Sequence, residues 1–146
     1  MSLKDKLMQD LKTAMKEKNK VKKSVVTLIR ASIKQYEVDN RTEISDEGIV
    51  ELIAKQLKQR RDSLDDFKKG NRLDLVEEAE KEMEILLGYL PKQLSEDEVR
   101  KIVKETIEEL GANGPKDMGK VMGALMPKFK GKADGKLVSK VVKELL

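Results

Sequence analysis

Residues 90–99 read LPKQLSEDEV, and how they divide the chain decides the fold. Pro91 disfavours helix in the residue before it, so a helix arriving from upstream stops at Leu90. Ser95 and Glu98 stand in the Ser-x-x-Glu spacing of a capping box, in which each side chain satisfies a free backbone donor of a new helix. One helix ends here and another begins within five residues. The organisation predicted from this break is an N-terminal helical domain over 1–92 and a C-terminal three-helix domain over 95–146.

Upstream, the apolar residues recur at helical spacing. Leu3, Leu7, Leu11, Ala14 and Met15 predict the buried face of a first helix that breaks near Asn19. Val21, Val25, Leu28, Ile29, Ile33 and Tyr36 predict a second. Ser45 is a good N-cap for a third, with Asp46 and Glu47 at the positive end of its dipole. Ile49, Leu52, Ile53, Leu57, Leu64 and Phe67 carry that helix to Gly70, read as its C-terminal stop. Leu75, Ala79, Met83, Leu86, Leu87 and Leu90 line a fourth. Downstream, Val99, Ile102, Val103, Ile107 and Leu110 give a fifth helix, stopped by Gly111. Met118, Val121, Met122, Leu125 and Met126, then Leu137, Val138, Val141, Val142 and Leu145, give two short ones. The fold class is all-α: a larger antiparallel helical part followed by a small three-helix unit.

Composition agrees with that reading. Of 146 residues, 40% are charged and 38% apolar, with two Phe, two Tyr and no Trp, a balance that suits helices better than strands. The opening residues MSLKDKLMQDLK contain no apolar run, so no signal peptide is expected, and no stretch approaches the roughly 18 apolar residues of a membrane span. A soluble, cytoplasmic protein with no membrane partner is the expectation. Cysteine and histidine are both absent, which removes thiol and imidazole nucleophiles, the usual general base and thiolate zinc sites. No catalytic residue, metal site or cofactor is expected.

The net charge of +4 is unevenly spread. Residues 1–34 carry ten Lys or Arg against Asp5, Asp10 and Glu17, residues 74–84 carry six carboxylates against Lys81, and residues 112–146 carry eight lysines against three carboxylates. The last region holds PKFKGKADGKLVSK, residues 127–140. A Walker A loop would require glycine at Lys130 and a hydroxyl at Leu137, so a nucleotide loop is excluded. Gly131 instead ends one helix and Asp134 caps the next, with Gly135 at its start permitting close backbone approach. Lys116, Lys120, Lys128, Lys130, Lys132, Lys136 and Lys140, with Gly131 and Gly135, are the candidate RNA-backbone contacts. Lysines at a helix N-terminus with free amides suit phosphate. Plain solvated lysines explain the same pattern, and the scarcity of aromatics favours backbone over base recognition.

Lys55, Lys58 and Arg61 form a secondary basic patch, with Arg60 about 100° round the helix from Arg61; a salt-bridged structural helix is the competing reading. The acidic run EEAEKEME reads as a solvated face. Gly119-x-x-x-Gly123 suggests tight helix packing, and Met118, Met122 and Met126 are either core or an adaptable protein-docking surface.

Residues 58–99 and 117–145 carry a resemblance, extending over nearly the whole chain, to the YqeY family of small bacterial proteins. The most specific stretches are Tyr89 to Ser95, Met118 to Met122 and Lys130 to Gly135. That family is related to the C-terminal tail domain of the B subunit of glutamine-dependent tRNA amidotransferase. The resemblance implies an all-helical fold in two parts and a free-standing relative of a tRNA-binding tail. The partners it implies are tRNA or another structured RNA, and a translation-related protein. It would also carry the label of a carbon-nitrogen ligase using glutamine as amide donor, although the catalytic cradle and the amidase signature of that enzyme are missing here.

Overall fold

Five of the seven helices among the described residues begin on a side chain that closes a free backbone amide. In the computed structural model, which describes residues 2–146, Ser2 caps α1 (Leu3–Lys16), Asn19 caps α2 (Lys20–Asn40) and Ser45 caps α3 (Asp46–Lys69). The fourth helix, α4 (Leu73–Leu87), starts without a capping side chain. Ser95 and Glu98 make the full capping box of α5 (Glu96–Leu110). A 3-10 turn (Pro115–Asp117) leads into α6 (Met118–Phe129), and Asp134 caps α7 (Gly135–Leu145). No strand occurs among the described residues. The all-α fold is as the periodicity requires.

The chain divides into two units, Met1–Leu90 and Pro91–Leu146. In the first, Leu7, Val25, Val26, Ile29, Ile33, Ile44, Ile49, Ile53, Leu57 and Leu86 form one buried cluster shared by all four helices. Each fully buried aliphatic side chain contributes on the order of 1.5–3 kcal/mol relative to exposure. Polar pairs fasten the same helices at their rims: Lys4 to Glu37 between α1 and α2, and Arg60 to Glu82 at 2.7 Å between α3 and α4.

Several apolar residues of the expected faces lie outside this core. Met15 is 56% exposed and Leu28 49%, and Tyr36 and Leu87 are also exposed. On α2 the buried stripe runs through 25, 26, 29 and 33, and Leu28 lies about 100° round the helix from Ile29. The stop of α3 also differs from expectation. Gly70 keeps a negative φ of −82°, and Asn71 takes the left-handed conformation at φ 54°. Asparagine tolerates that region better than other residues with a Cβ.

In the second unit, Val99, Val103, Val121, Leu125, Phe129, Val138, Val141 and Val142 are the buried cluster, with Met118 and Met122 packed against it. Met126 is 55% exposed. The three methionines therefore do not form one surface, because α6 turns two of them inward. The Gly119-x-x-x-Gly123 spacing does not serve helix packing either. Both glycines are exposed, and a Cβ built on either would meet nothing within 4 Å. Pro127 lies inside the last turn of α6, which continues to Phe129. The backbone donor that proline lacks would have served the Gly123 carbonyl, one turn back on this exposed side.

Candidate nucleic-acid interface

The turn between α6 and α7 is built from its buried end outward. Phe129 anchors it in the core, and its carbonyl accepts from the amides of Lys132 at 2.8 Å and Ala133 at 3.1 Å. Gly131 takes φ +72°, a left-handed conformation that a Cβ disfavours. The outer carbonyls of the turn are taken by the segment that precedes α5. Gln93 Nε2 donates to the Gly131 carbonyl at 2.7 Å, and the Leu94 amide donates to the Lys132 carbonyl at 2.9 Å. With its carbonyls engaged inward, the turn presents Lys130, Lys132 and Lys136 exposed.

The helix N-terminus itself is not an open anion site. Asp134 Oδ1 accepts from the Lys136 amide at 3.0 Å, so the expected free amide is engaged and a carboxylate stands where phosphate would sit. Gly135 is exposed, with nothing within 4 Å of a built Cβ. Among the described residues, no backbone uses the close approach expected there.

The other nominated lysines separate into distinct places. Lys116, on the 3-10 turn, and Lys120, in the first turn of α6, are exposed. Lys120 and Lys128 are eight residues apart on one helix, or about 12 Å along its axis. Lys128 is drawn back against α5: its Nζ donates to Thr106 Oγ1 at 2.9 Å and lies 3.9 Å from Glu109. Thr106 is buried and donates in turn to the Ile102 carbonyl. The Lys128 ammonium thus has partners inside its own unit.

Lys136 and Lys140 continue along α7 to Lys143, which the sequence reading left out. With Ser139 and Glu144 these three lysines line an open cleft of about 490 Å³. Lys140 and Lys143 are exposed and make no ion pair among the described residues. The spacing 136, 140, 143 is legible in the sequence as one helical face. Glu144 is engaged by Arg100, which also holds Glu96 at 3.2 Å.

The secondary patch lies in the first unit, on α3. Lys55 and Lys58 are exposed and Arg61 is half-buried. Arg60 is held by Glu82 and also donates to the Gln56 carbonyl. No group of three or more carboxylates arranged to hold a metal occurs among the described residues, and no helix is long and apolar enough to cross a membrane.

Comparison with known proteins gives the chain's relationships. A family model described as Yqey-like protein matches residues 4–146. The mitochondrial protein named altered inheritance of mitochondria protein 41 from Pyrenophora tritici-repentis is 33% identical over 144 residues, covering 96% of this chain and 78% of that protein. Its namesake from Lachancea thermotolerans is 37% identical over 112 residues, covering 75% of this chain and 60% of the relative. The Saccharomyces cerevisiae (strain YJM789) protein is 33% identical over 82 residues, covering 56% and 44%. These relatives correct two expectations. They are fungal rather than bacterial, and their names place them in mitochondria rather than the cytoplasm. With the family model spanning residues 4–146 and these relatives alongside it, the chain belongs to the YqeY family.

Proposed function

We propose that this chain is a non-catalytic helical module that binds the sugar-phosphate backbone of tRNA or another structured RNA through its C-terminal unit. The observation that carries the reading is the basic face of α7, where Lys136, Lys140 and Lys143 follow one another beside Ser139. Along the helix axis they span about 10 Å, at the rise of a regular α-helix. Lys132 adds a further exposed ammonium from the turn. Phe129, the only aromatic residue of the unit, is buried, so base stacking is not on offer and the contact is electrostatic. The resemblance to the amidotransferase tail supports the same reading. The mitochondrial names of the fungal relatives make mitochondria the compartment in which to look for that RNA. A translation-related protein is a further proposed partner.

Filter binding of the full chain to total tRNA tests this. Log affinity is expected to fall with log salt by roughly 0.7–0.9 per phosphate neutralised. The double variant Lys140→Glu, Lys143→Glu should weaken binding and flatten that slope. Absence of binding at low salt, or affinity unchanged in the double variant, would overturn the proposal.

A further inference from the structure

The first unit contains a cleft between α1 and α2 that the RNA reading does not use. Its volume is about 600 Å³, inside the range of about 300–1,000 Å³ typical of small-molecule sites. Its floor is apolar and belongs to the core: Leu7 is fully buried and Ile33 is 6% exposed. Met8 stands at the rim, 37% exposed, and Ala31 faces it from α2.

The charges around this floor do not cancel. Lys4 is answered by Glu37, whose carboxylate also accepts from the Ile44 amide at 3.0 Å. The side chains of Arg30 and Lys34, one turn apart on α2, make no ion pair or hydrogen bond among the described residues, and Arg30 is half-buried. Asp5 is the only carboxylate of the lining not held by a lysine. A half-buried guanidinium without an acceptor gives up hydration and receives no hydrogen bond in return. A concave apolar floor beside this guanidinium and the exposed Lys34 ammonium suits a ligand with both characters, whereas a bare polar anion would leave the floor wet.

We propose that the cleft binds a small amphipathic anion, with a carboxylate or phosphate head at Arg30 and Lys34 and a short apolar body over Leu7, Met8 and Ile33. The guanidinium can take such a head in a two-pronged hydrogen bond, and the ammonium adds a point charge.

The test is an amide-resolved NMR titration of the full chain with octanoate and with octyl phosphate. Acetate and inorganic phosphate serve as head-only controls, and 1-octanol as the tail-only control. Saturable shifts confined to α1 and α2 are expected with the eight-carbon anions, and binding at least about tenfold weaker when head or tail is missing. A preference between the two anions identifies the head group and supports the site either way. The double variant Arg30→Gln, Lys34→Gln should weaken octanoate by at least about tenfold, the order expected for a lost charge-assisted hydrogen bond. Ala31→Phe should abolish binding by filling the cleft; if it perturbs the fold by circular dichroism, the glutamine pair decides. No saturable shift, octanol binding as tightly as octanoate, or full affinity in the glutamine variant would each overturn the inference.

Discussion

The side-chain amide of Gln93 donates to the backbone carbonyl of Gly131 at 2.7 Å, across 38 positions of sequence. The same nitrogen also reaches the Pro91 carbonyl at 2.9 Å. Two stretches that carry the family likeness, Tyr89 to Ser95 and Lys130 to Gly135, therefore meet through one amide group. The function of Gln93 in this arrangement is to hold the lysine-bearing turn in one shape.

Replacing Gln93 should loosen that turn. Gln93→Ala removes both donations and should cost about 1–2 kcal/mol, the usual net effect of losing hydrogen bonds in a partly buried place. Gln93→Glu should cost more, because a carboxylate would face two carbonyl oxygens. Hydrogen exchange at the Leu94 and Lys132 amides, with urea midpoints for the full chain, reads both effects. Unchanged exchange in both variants would mean that the turn holds itself.

Acid should weaken both units through named carboxylates. The Lys4 ammonium, followed by the Ile44 amide, holds Glu37 below its usual pKa of 4.5. The Ser95 amide, followed by its hydroxyl, does the same for Glu98. A lowered folded-state pKa contributes stability that is present above 4.5 and lost as pH falls through the folded value. Thermal melts between about pH 6 and pH 3 should therefore show falling stability, with flatter profiles for Glu37→Gln and Glu98→Gln. Glu98 is exposed and the Glu37 side chain stays 26% exposed, so added salt should reduce the Glu37 effect in part.

The glycines of α6 should be replaceable with gain. Beyond the backbone of its own helix and its immediate neighbours, neither Gly119 nor Gly123 has an atom within 4 Å of a built Cβ, and neither has a positive φ. Gly119→Ala and Gly123→Ala should each stabilise the C-terminal unit by up to about 1 kcal/mol, by restricting the unfolded chain. Urea midpoints measure the change. A loss of stability would reveal a packing seam at this face.

Tyr89 should prove to be a polar anchor as well as an apolar one. Its hydroxyl donates to Asp10, and Lys6 Nζ lies 5.5 Å from the ring centroid. Burial, followed by the Asp10 carboxylate, raises the phenol's pKa above its ordinary value. Stability from this pair is present below the phenol's unfolded pKa and lost as pH rises through the folded one. Tyr89→Phe should cost the N-terminal unit about 1–2 kcal/mol by leaving Asp10 without its donor, read from chemical denaturation near neutral pH. A phenylalanine variant as stable as the parent would assign the ring's burial the whole effect.

Local signals settled the helices. Ser45, Ser95 and Asp134 cap as their positions in the sequence require, because a cap is an interaction across two or three residues. The helical period likewise marked Val99, Val103, Val138 and Val142 as one unit's core. What the period leaves open is the width and centre of each buried stripe, since these depend on which neighbouring helix covers it. Met122 and Met126 are one turn apart on the same helix, yet one packs against the core and the other stands in solvent. The lysines show the same limit. Lys128 and Lys140 are alike in sequence, but only the tertiary structure brings Thr106 and Glu109 to the first and leaves the second open. The bond from Gln93 to Gly131 and the cleft beside Arg30 exist only because distant segments fold together, and no local spacing encodes such a meeting.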